Sequence, residues 1–477
     1  MSRSSRAQKP QESTQRWLTG AGEGGYLLLV NATPYTWRKK SIHSDQLAVW
    51  RFPRKIKPGS TASVYIEFQQ RPGTKRTKTN GYCLYKFKDT RSSAIHIEAE
   101  DHPSNITVRL QHFDTPNNPG GSYLPLGWQQ DGMVYFVLSG LEGQYSSSNP
   151  PRDWMQRNLP KLGERPLHKI CMPGTHEAGM GILSRCEALP KDLMARFAQT
   201  QSLKILGQLE MGSRYLDIRP CISGGEFWTG HYDGRLGARG QKVSSLVKDI
   251  NQFTAQCAEL IILNLSRGLN FDKEWRHFTQ SEWSRLLVEL LKLNHRFITS
   301  GPEKDNLSLL PLSMFIGEGM AAVVVVVDDP EFGKLSRFHN KGFYLPSQLD
   351  IFHEYSDTDD CVTMVQDQVR KMQNFMRTSD KRLFLVSWTL RPNAPNLTQE
   401  ALRSPDKLQS LDVLDVWKQN NKSIRELAYS ANKALWKDLL PNTSRVVFPN
   451  IVYIDFMESR EYVALVMAIN DKLSIEP

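Results

Sequence analysis

From His168 to the C-terminus, apolar runs of strand length alternate with amphipathic stretches of helical length, and no other pattern in the chain restricts its fold as much. The apolar runs are HKICM from His168, RYLDIRP from Arg214, ELIILNL from Glu259, MAAVVVVV from Met320, LFLVSWTL from Leu383 and IVYIDFM from Ile451. Helical periodicity fills Leu203 to Met211, Val243 to Cys257, Trp283 to Leu293, Val362 to Met376, Ile424 to Leu440 and Glu461 to Asn470. Strands alternating with helices build a parallel sheet with helices on its faces. Spread over residues 156–477, the series fits an α/β fold of the TIM-like (β/α)8 barrel type, irregular in places, better than a short open sheet.

The first part of the chain has a different rhythm. Residues 1–24 are polar and read as a disordered tail. From residue 25 to 140, short aromatic and β-branched runs (YLLLV, LAVWRF, SVYIEF, GYCLYKF, AIHIEA, ITVRLQHF, MVYFVL) are divided by Gly, Pro, Asn and Asp, with no helical stretch between them. That pattern predicts an all-β sandwich. Residues 141–155, rich in Gly, Ser and Pro, read as the linker to the barrel.

Composition bounds the function. With 40% hydrophobic and 23% charged residues the chain is globular, and its net charge of +10 favours nucleic acid, an anionic membrane surface or a phosphorylated substrate. Basic residues bunch in expected loops as Arg38–Lys40, Arg54–Lys57 and Arg71–Lys78. These are either a patch for phospholipid headgroups at one end of the sandwich or solvated turns. The N-terminus has no apolar signal core, and the strongest apolar run is strand-sized, far short of the ~20 residues of a membrane span. A cytoplasmic or peripheral membrane location is expected. Six cysteines without a CxxC pair give neither a zinc site nor a disulfide framework.

Chemistry-bearing residues gather at the expected C-terminal ends of barrel strands, where the strand-to-helix loops converge. His176 follows HKICM in KICMPGTHEAGMG, Arg219 ends RYLDIR, and His231 follows EFWTG in GHYDG. Ser266 and Arg267 end ELIILNL, Trp388 ends LFLVSW and Asp455 ends IVYID. Cleaving a phosphodiester takes a base, an acid and a cation. Histidine serves both proton roles near neutrality, and arginine offers phosphate a bidentate fork.

The stretch PGTHEAGM, with RYLDIRP, GHYDG, GQKVSSLVKDINQF and ELIILNLSRG after it, resembles the catalytic X region of phosphatidylinositol-specific phospholipase C. The likeness is to the compact bacterial type and to fungal proteins that carry this region behind a β-sandwich, and it covers about 100 residues from Lys169 to Gly268. The resemblance implies that His176 is the general base acting on the inositol 2-hydroxyl, that His231 is the acid protonating the diacylglycerol oxygen, and that Arg219 neutralises the phosphate. Asp217, on the same side of the pleat as Arg219, orients Arg219 or a histidine, and Asp455 holds the base's imidazole. Ser266, Arg267, Trp388 and Tyr232 are the substrate-side candidates, the two aromatics either stacking on the inositol ring or packing.

Calcium-dependent members of that family place ion ligands where this chain has Glu177, Asp217, Arg219 and Ser266. A guanidinium cannot serve such a site, so no metal and no cofactor are expected. Metal-independent members usually carry Asp directly after the base histidine. Glu177 is one methylene longer, and a displacement of about 1 Å can cost ~100-fold in rate. The expected partners are a phospholipid substrate and an anionic membrane surface, with no nucleic acid. The alternative is a weak or inactive barrel whose sandwich binds membrane or protein; a magnesium-dependent glycerophosphodiesterase would need a carboxylate set that the sequence lacks. His43, His96, His112, His168 and His353 read as structural, and Gly234, Gly237 and Gly240 as turn residues.

Overall fold

The computed structural model describes residues 24–473 except 70–72, 74, 102, 188–189, 234–235, 300–304, 330–331, 333–334, 379 and 393–421. The tail expected over residues 1–24 lies, but for Gly24, outside the described residues, as do Arg71 and Gly234.

Eight strands form one wholly parallel sheet in the order Phe343–Tyr344, Ala322–Asp328, Leu260–Ser266, Tyr215–Ile218, Met172–Thr175, Ile451–Ile454, Leu383–Ser387 and Ile351–His353. Both faces are covered, which is why Ala322 to Val327 are all buried in an unbroken apolar run instead of an alternating one. The sheet curls as a TIM-like half-barrel, and among the described residues its first and last strands are not paired. Those two strands are two and three residues long and follow one another without an intervening helix, so they offer no ladder to close the ring. The helices are set by local signals as well as by packing. Capping boxes of Thr279 with Glu282 and of Ser423 with Glu426 open Gln280–Leu290 and Ile424–Ala434, and Asp360 caps Cys361–Phe375.

The first strand begins later than HKICM: a 3-10 turn occupies Leu167–Lys169, and the strand is Met172–Thr175. A larger departure follows Tyr215–Ile218. There the chain makes a second, six-stranded sheet that includes Pro220–Ser223, Glu226–Asp233 and Leu236–Lys242. His231 therefore does not follow a barrel strand; it lies within Glu226–Asp233, on a hairpin folded against the loop after Met172–Thr175. Gly237 and Gly240 are strand residues of that hairpin and not turn residues. A Cβ on Gly179 would sit 2.2 Å from Thr229 Oγ1, and one on Gly240 would sit 2.4 Å from the Gly179 carbonyl. The glycines allow this approach, and Thr229 Oγ1 closes it by donating to the Gly179 carbonyl at 3.0 Å.

The N-terminal residues form two sheets on one core. Ser146–Ser147, Met133–Ser139, Gly24–Ala32, Ser60–Phe68 and Leu47–Trp50 make one, and Lys55–Ile56, Trp37–Asp45, Asn80–Phe87, Ala94–Asp101, Ser104–Gln111 and Tyr123–Gly127 the other. Leu27, Leu29, Ile66 and Phe136 of the first meet Trp37, Tyr85, Ile97 and Val108 of the second. The first sheet is buried on its other side too, where Leu28, Val30 and Val137 join the core of the parallel sheet. Two covered faces explain the unbroken YLLLV run.

That contact is a seam along the last helix, Glu461–Lys472. Ser139 Oγ donates to Asp471 and Ser148 Oγ to Glu461, both at 2.7 Å, and Tyr135 stacks on Trp436 at 5.4 Å. The stretch 141–155 is built into it: Tyr145 to Ser148 are buried, and Ser146–Ser147 pairs with Met133–Ser139. Among the described residues no helix is long and apolar enough to cross a membrane.

Candidate functional site

The loop after Met172–Thr175 is clamped by buried side chains. Gln201 donates to the carbonyls of His176 at 3.0 Å and Ile454 at 3.1 Å, Gln208 to that of Ala178 at 2.7 Å, and Thr200 to that of Glu177 at 3.1 Å. Held this way, Glu177 takes a left-handed conformation (φ 40°, ψ 55°), unusual for a side-chain-bearing residue, which turns its carboxylate back into the site.

Six of the expected residues come together. His176 Nδ1 lies 2.8 Å from Asp455 Oδ1, and its Nε2 lies 3.3 Å from Arg219 Nη2. These partners assign the proton to Nδ1 and leave the Nε2 lone pair facing the site. One Glu177 oxygen pairs with Arg219 and the other with His231 Nδ1. Asp217 receives the Tyr453 hydroxyl, accepts from the Glu177 amide at 3.2 Å and stands 3.7 Å from Arg219. Gly230, next to His231, donates its amide to the Arg219 carbonyl at 2.9 Å, which fixes the hairpin to the strand end.

The electrostatics follow from this packing. Burial pulls the His176 imidazolium down, but the carboxylates of Asp455 and Glu177 outweigh it and hold its pKa above the ordinary histidine value. Burial pushes the Glu177 carboxyl up, yet Arg219, His231 and His176 more than reverse this, so it stays ionised well below the usual carboxylate range. Burial also opposes the Arg219 charge, and Glu177 and Asp217 hold it firmly protonated.

Beside this cluster opens a cavity of about 440 Å³, in the size range of small-molecule sites. Asp217, Arg219, Ser266, Arg267, His353 and Tyr453 line it, with Asp328 and Asp329 among the remaining walls. Arg267 is exposed there, and Ser266 Oγ reaches Asp217 at 3.5 Å.

Two substrate-side expectations are not met. Trp388 is fully buried and donates its Nε1–H to the Ala431 carbonyl at 2.7 Å, so it packs under a helix and faces no ligand. Tyr232 points away from its neighbour His231 and closes on Phe271 and Trp275, with ring centroids 4.1 and 4.9 Å apart.

Two residues passed over in the sequence do reach the site. Tyr453 stands two positions before Asp455, and the alternation of a strand was the signal that could have found it. His353, expected to be structural, lines the cavity, 3.3 Å from Ser387 and edge-on to Tyr453 at 5.3 Å. The cavity walls desolvate its ring and, with His176, Arg219 and Arg267 near, pull its pKa down to about 4 against Asp217. Its strand is too short to leave a pattern. Among the described residues no group of three or more His, Cys, Asp or Glu side chains is arranged to hold a metal ion.

The chain is similar to the human protein called PI-PLC X domain-containing protein 1, with 30% identity over 89 residues, which is 15% of this chain and 28% of that protein. The mouse protein of the same name is 28% identical over 85 residues, 14% of this chain and 25% of that protein. The matched segment thus spans under a third of either relative. No family model matches the chain. Among solved structures, a mutant phosphatidylinositol-specific phospholipase C from Staphylococcus aureus overlaps 68% of this chain and 98% of its own, at a TM-score of 0.46 and 14% identity. The phosphatidylinositol-specific phospholipase C from Listeria monocytogenes overlaps 64% of this chain and 95% of its own, at 0.38 and 16%.

Proposed function

We propose that this chain, a relative of the PI-PLC X domain-containing proteins through its motif-bearing segment, is a phospholipase-C-like phosphodiesterase that cleaves phosphatidylinositol or a related inositol phosphodiester. One observation carries the reading: a single guanidinium, Arg219, sits against His176 and shares the Glu177 carboxylate with His231, so each histidine is backed by a carboxylate, His176 by Asp455 and His231 by Glu177.

In the proposed reaction the inositol 2-hydroxyl attacks phosphorus while His176 Nε2 takes its proton. The new P–O bond closes a cyclic phosphate, the P–O bond to diacylglycerol breaks, and His231 gives the leaving oxygen a proton. Arg219 offsets the charge that builds on the non-bridging oxygens. Asp217 and Tyr453 brace Arg219, and Arg267, Ser266 and His353 face the cavity that would take the headgroup. The reaction is proposed to run without a metal, because the cation the phosphate requires is part of the protein. A lipid surface is the proposed partner.

Incubation of the full chain with phosphatidylinositol vesicles and excess chelator, followed by phosphorus NMR, tests this. The expected result is a cyclic phosphodiester whose formation falls about 10²- to 10⁴-fold in His176→Ala, the usual worth of a general base. Absence of turnover on any inositol lipid refutes the activity, and loss of turnover with chelator alone refutes metal independence.

A further inference from the structure

The Glu177 carboxylate is 1% exposed; one of its oxygens takes the Arg219 guanidinium, which a phosphodiester would need for itself, while the other backs the His231 imidazole. No flexible tether brings it there. The left-handed turn at Glu177, the Asp217 carboxylate on its amide and the Thr200 hydroxyl on its carbonyl fix the backbone from which it reaches in. A carboxylate and a phosphate both offer oxygens to a planar donor fork. Glu177 thus stands where the phosphate's oxygens would stand.

We propose that Glu177 is the resident anion of this site: a phosphate must displace it from Arg219 to bind, and its charge makes Glu177 the residue that admits monoanionic phosphodiesters and rejects dianionic phosphate monoesters. The inference rests on the reading of Arg219 and His231 as the phosphate-binding pair. Its physical basis is the charge already present. Glu177, Asp217 and Asp455 face one guanidinium and two imidazoles, and His176 must be uncharged to act as a base. With Arg267, Asp328 and Asp329 of the cavity wall counted as well, five carboxylates meet at most three positive groups, so each further negative charge is opposed. A monoanion that pushes Glu177 aside gives Arg219 one anion for another, whereas a dianion adds a second. The extra methylene of glutamate matters here. It lets one carboxylate reach both partners, and an aspartate on the same backbone would release one of them.

The test is direct binding, measured by calorimetry on the full chain, of inorganic phosphate well above its second pKa and of dimethyl phosphate, a monoanion. Glu177→Gln should bind inorganic phosphate about tenfold tighter than wild type, equivalent to about 1.4 kcal/mol, with a smaller gain for dimethyl phosphate. Glu177→Asp, which keeps the charge and so the fold, should bind both anions roughly threefold tighter. Loss of phosphate binding in Arg219→Ala locates the event. A merely structural Glu177 would leave the ratio between the two anions unchanged in Glu177→Gln, and that result overturns the proposal. If Glu177→Gln does not fold, unchanged affinities in Glu177→Asp overturn it. Because binding is read without turnover, a protein that hydrolyses no lipid but shows the shifted ratio loses the activity and keeps the resident anion, and the converse result is equally distinguishable.

Discussion

Arg219→Ala tests the charge balance of the site most directly. In the native chain Arg219 has a side chain 20% exposed and pairs with a Glu177 that is 1% exposed, while Asp217 lies 3.7 Å away. Removing one partner of a buried pair leaves the other charge uncompensated, at a cost of about 3–5 kcal/mol; the partial exposure of Arg219 points to the lower end, about 3 kcal/mol at neutral pH. The pH dependence gives the signature. Glu177 has a folded pKa depressed below its ordinary 4.5, so its contribution to stability is present above that value and is lost as pH falls through the depressed one. Without Arg219 the main depressing charge is gone. The gap between wild type and variant should therefore be widest at neutral pH and shrink once pH drops below 4.5. Urea unfolding followed by tryptophan fluorescence, at neutral pH and at about pH 4, reads the gap. Arg219→Lys supplies the control: it should recover most of the stability but not the turnover, because an ammonium lacks the planar fork. A gap under about 1 kcal/mol at neutral pH, or one of equal size at both pH values, refutes a buried Arg219–Glu177 charge pair.

Two further outcomes follow from the same geometry. Asp455→Asn removes the charge that does most to raise the His176 pKa, so the acid limb of the kcat/KM profile, below which the base is protonated and idle, should move to lower pH; an unmoved midpoint means that His176 is not the base. The same change removes a stabilisation that is complete below the ordinary histidine value of 6.5 and fades as pH rises through the raised one, which urea titration checks. Trp388→Phe should cost about 1 kcal/mol of stability through the lost bond to Ala431 and leave KM unchanged, and a raised KM would restore Trp388 to the substrate side.

The periodic parts of the fold were the legible parts. Five of the six apolar runs carry a strand of the parallel sheet, because a strand covered on both faces is written as continuous hydrophobicity, whereas HKICM supplies only the first residue of Met172–Thr175. Phe343–Tyr344 and Ile351–His353 went unseen, since two or three residues show no period. Trp37–Asp45 was missed for another reason: all but Trp37 and Lys39 are exposed, so apart from Trp37 and Ile42 its sequence, WRKKSIHSD, is polar. In the site, Asp217, Arg219 and Asp455 followed from strand ends and motif. Trp388 did not, yet the same alternation excludes it: Ser387 faces inward to His353, so the next side chain must point outward. Antiparallel excursions such as the one carrying His231 leave no helical interval to betray them. Glu177's bridge lies further out of reach, because it depends on a left-handed turn fixed by Asp217 and Thr200, neither adjacent in sequence.

The seam also determines which basic residues can serve a lipid surface, within the proposed function. Glu461 lies at the site end of the last helix, six residues after Asp455, whereas Asn470 bonds both backbone groups of Cys171 at the opposite end of the parallel sheet. Ser148 on Glu461 and Ser139 on Asp471 orient Met133–Ser139 along that helix, so Ser139 and its register partner Ala32 lie away from the site. Asn31, in turn, donates to the carbonyls of Ile56 and Lys57, and Arg38 pairs in register with both Lys55 and Lys86. The runs Arg38–Lys40 and Arg54–Lys57 thus gather at the far end. Gly24 pairs with Glu67 and Gln69 with Gln46, which puts the exposed Lys75 and Lys78 at the end nearer the site. The two basic groups are not one patch. A nine-residue strand separates them by roughly 30 Å, about four Debye lengths at physiological salt. Under the proposed function, a lipid surface on the site side would lie nearer Lys75 and Lys78 than Arg38, Lys55 and Lys86, and the former pair is the one proposed to dock it.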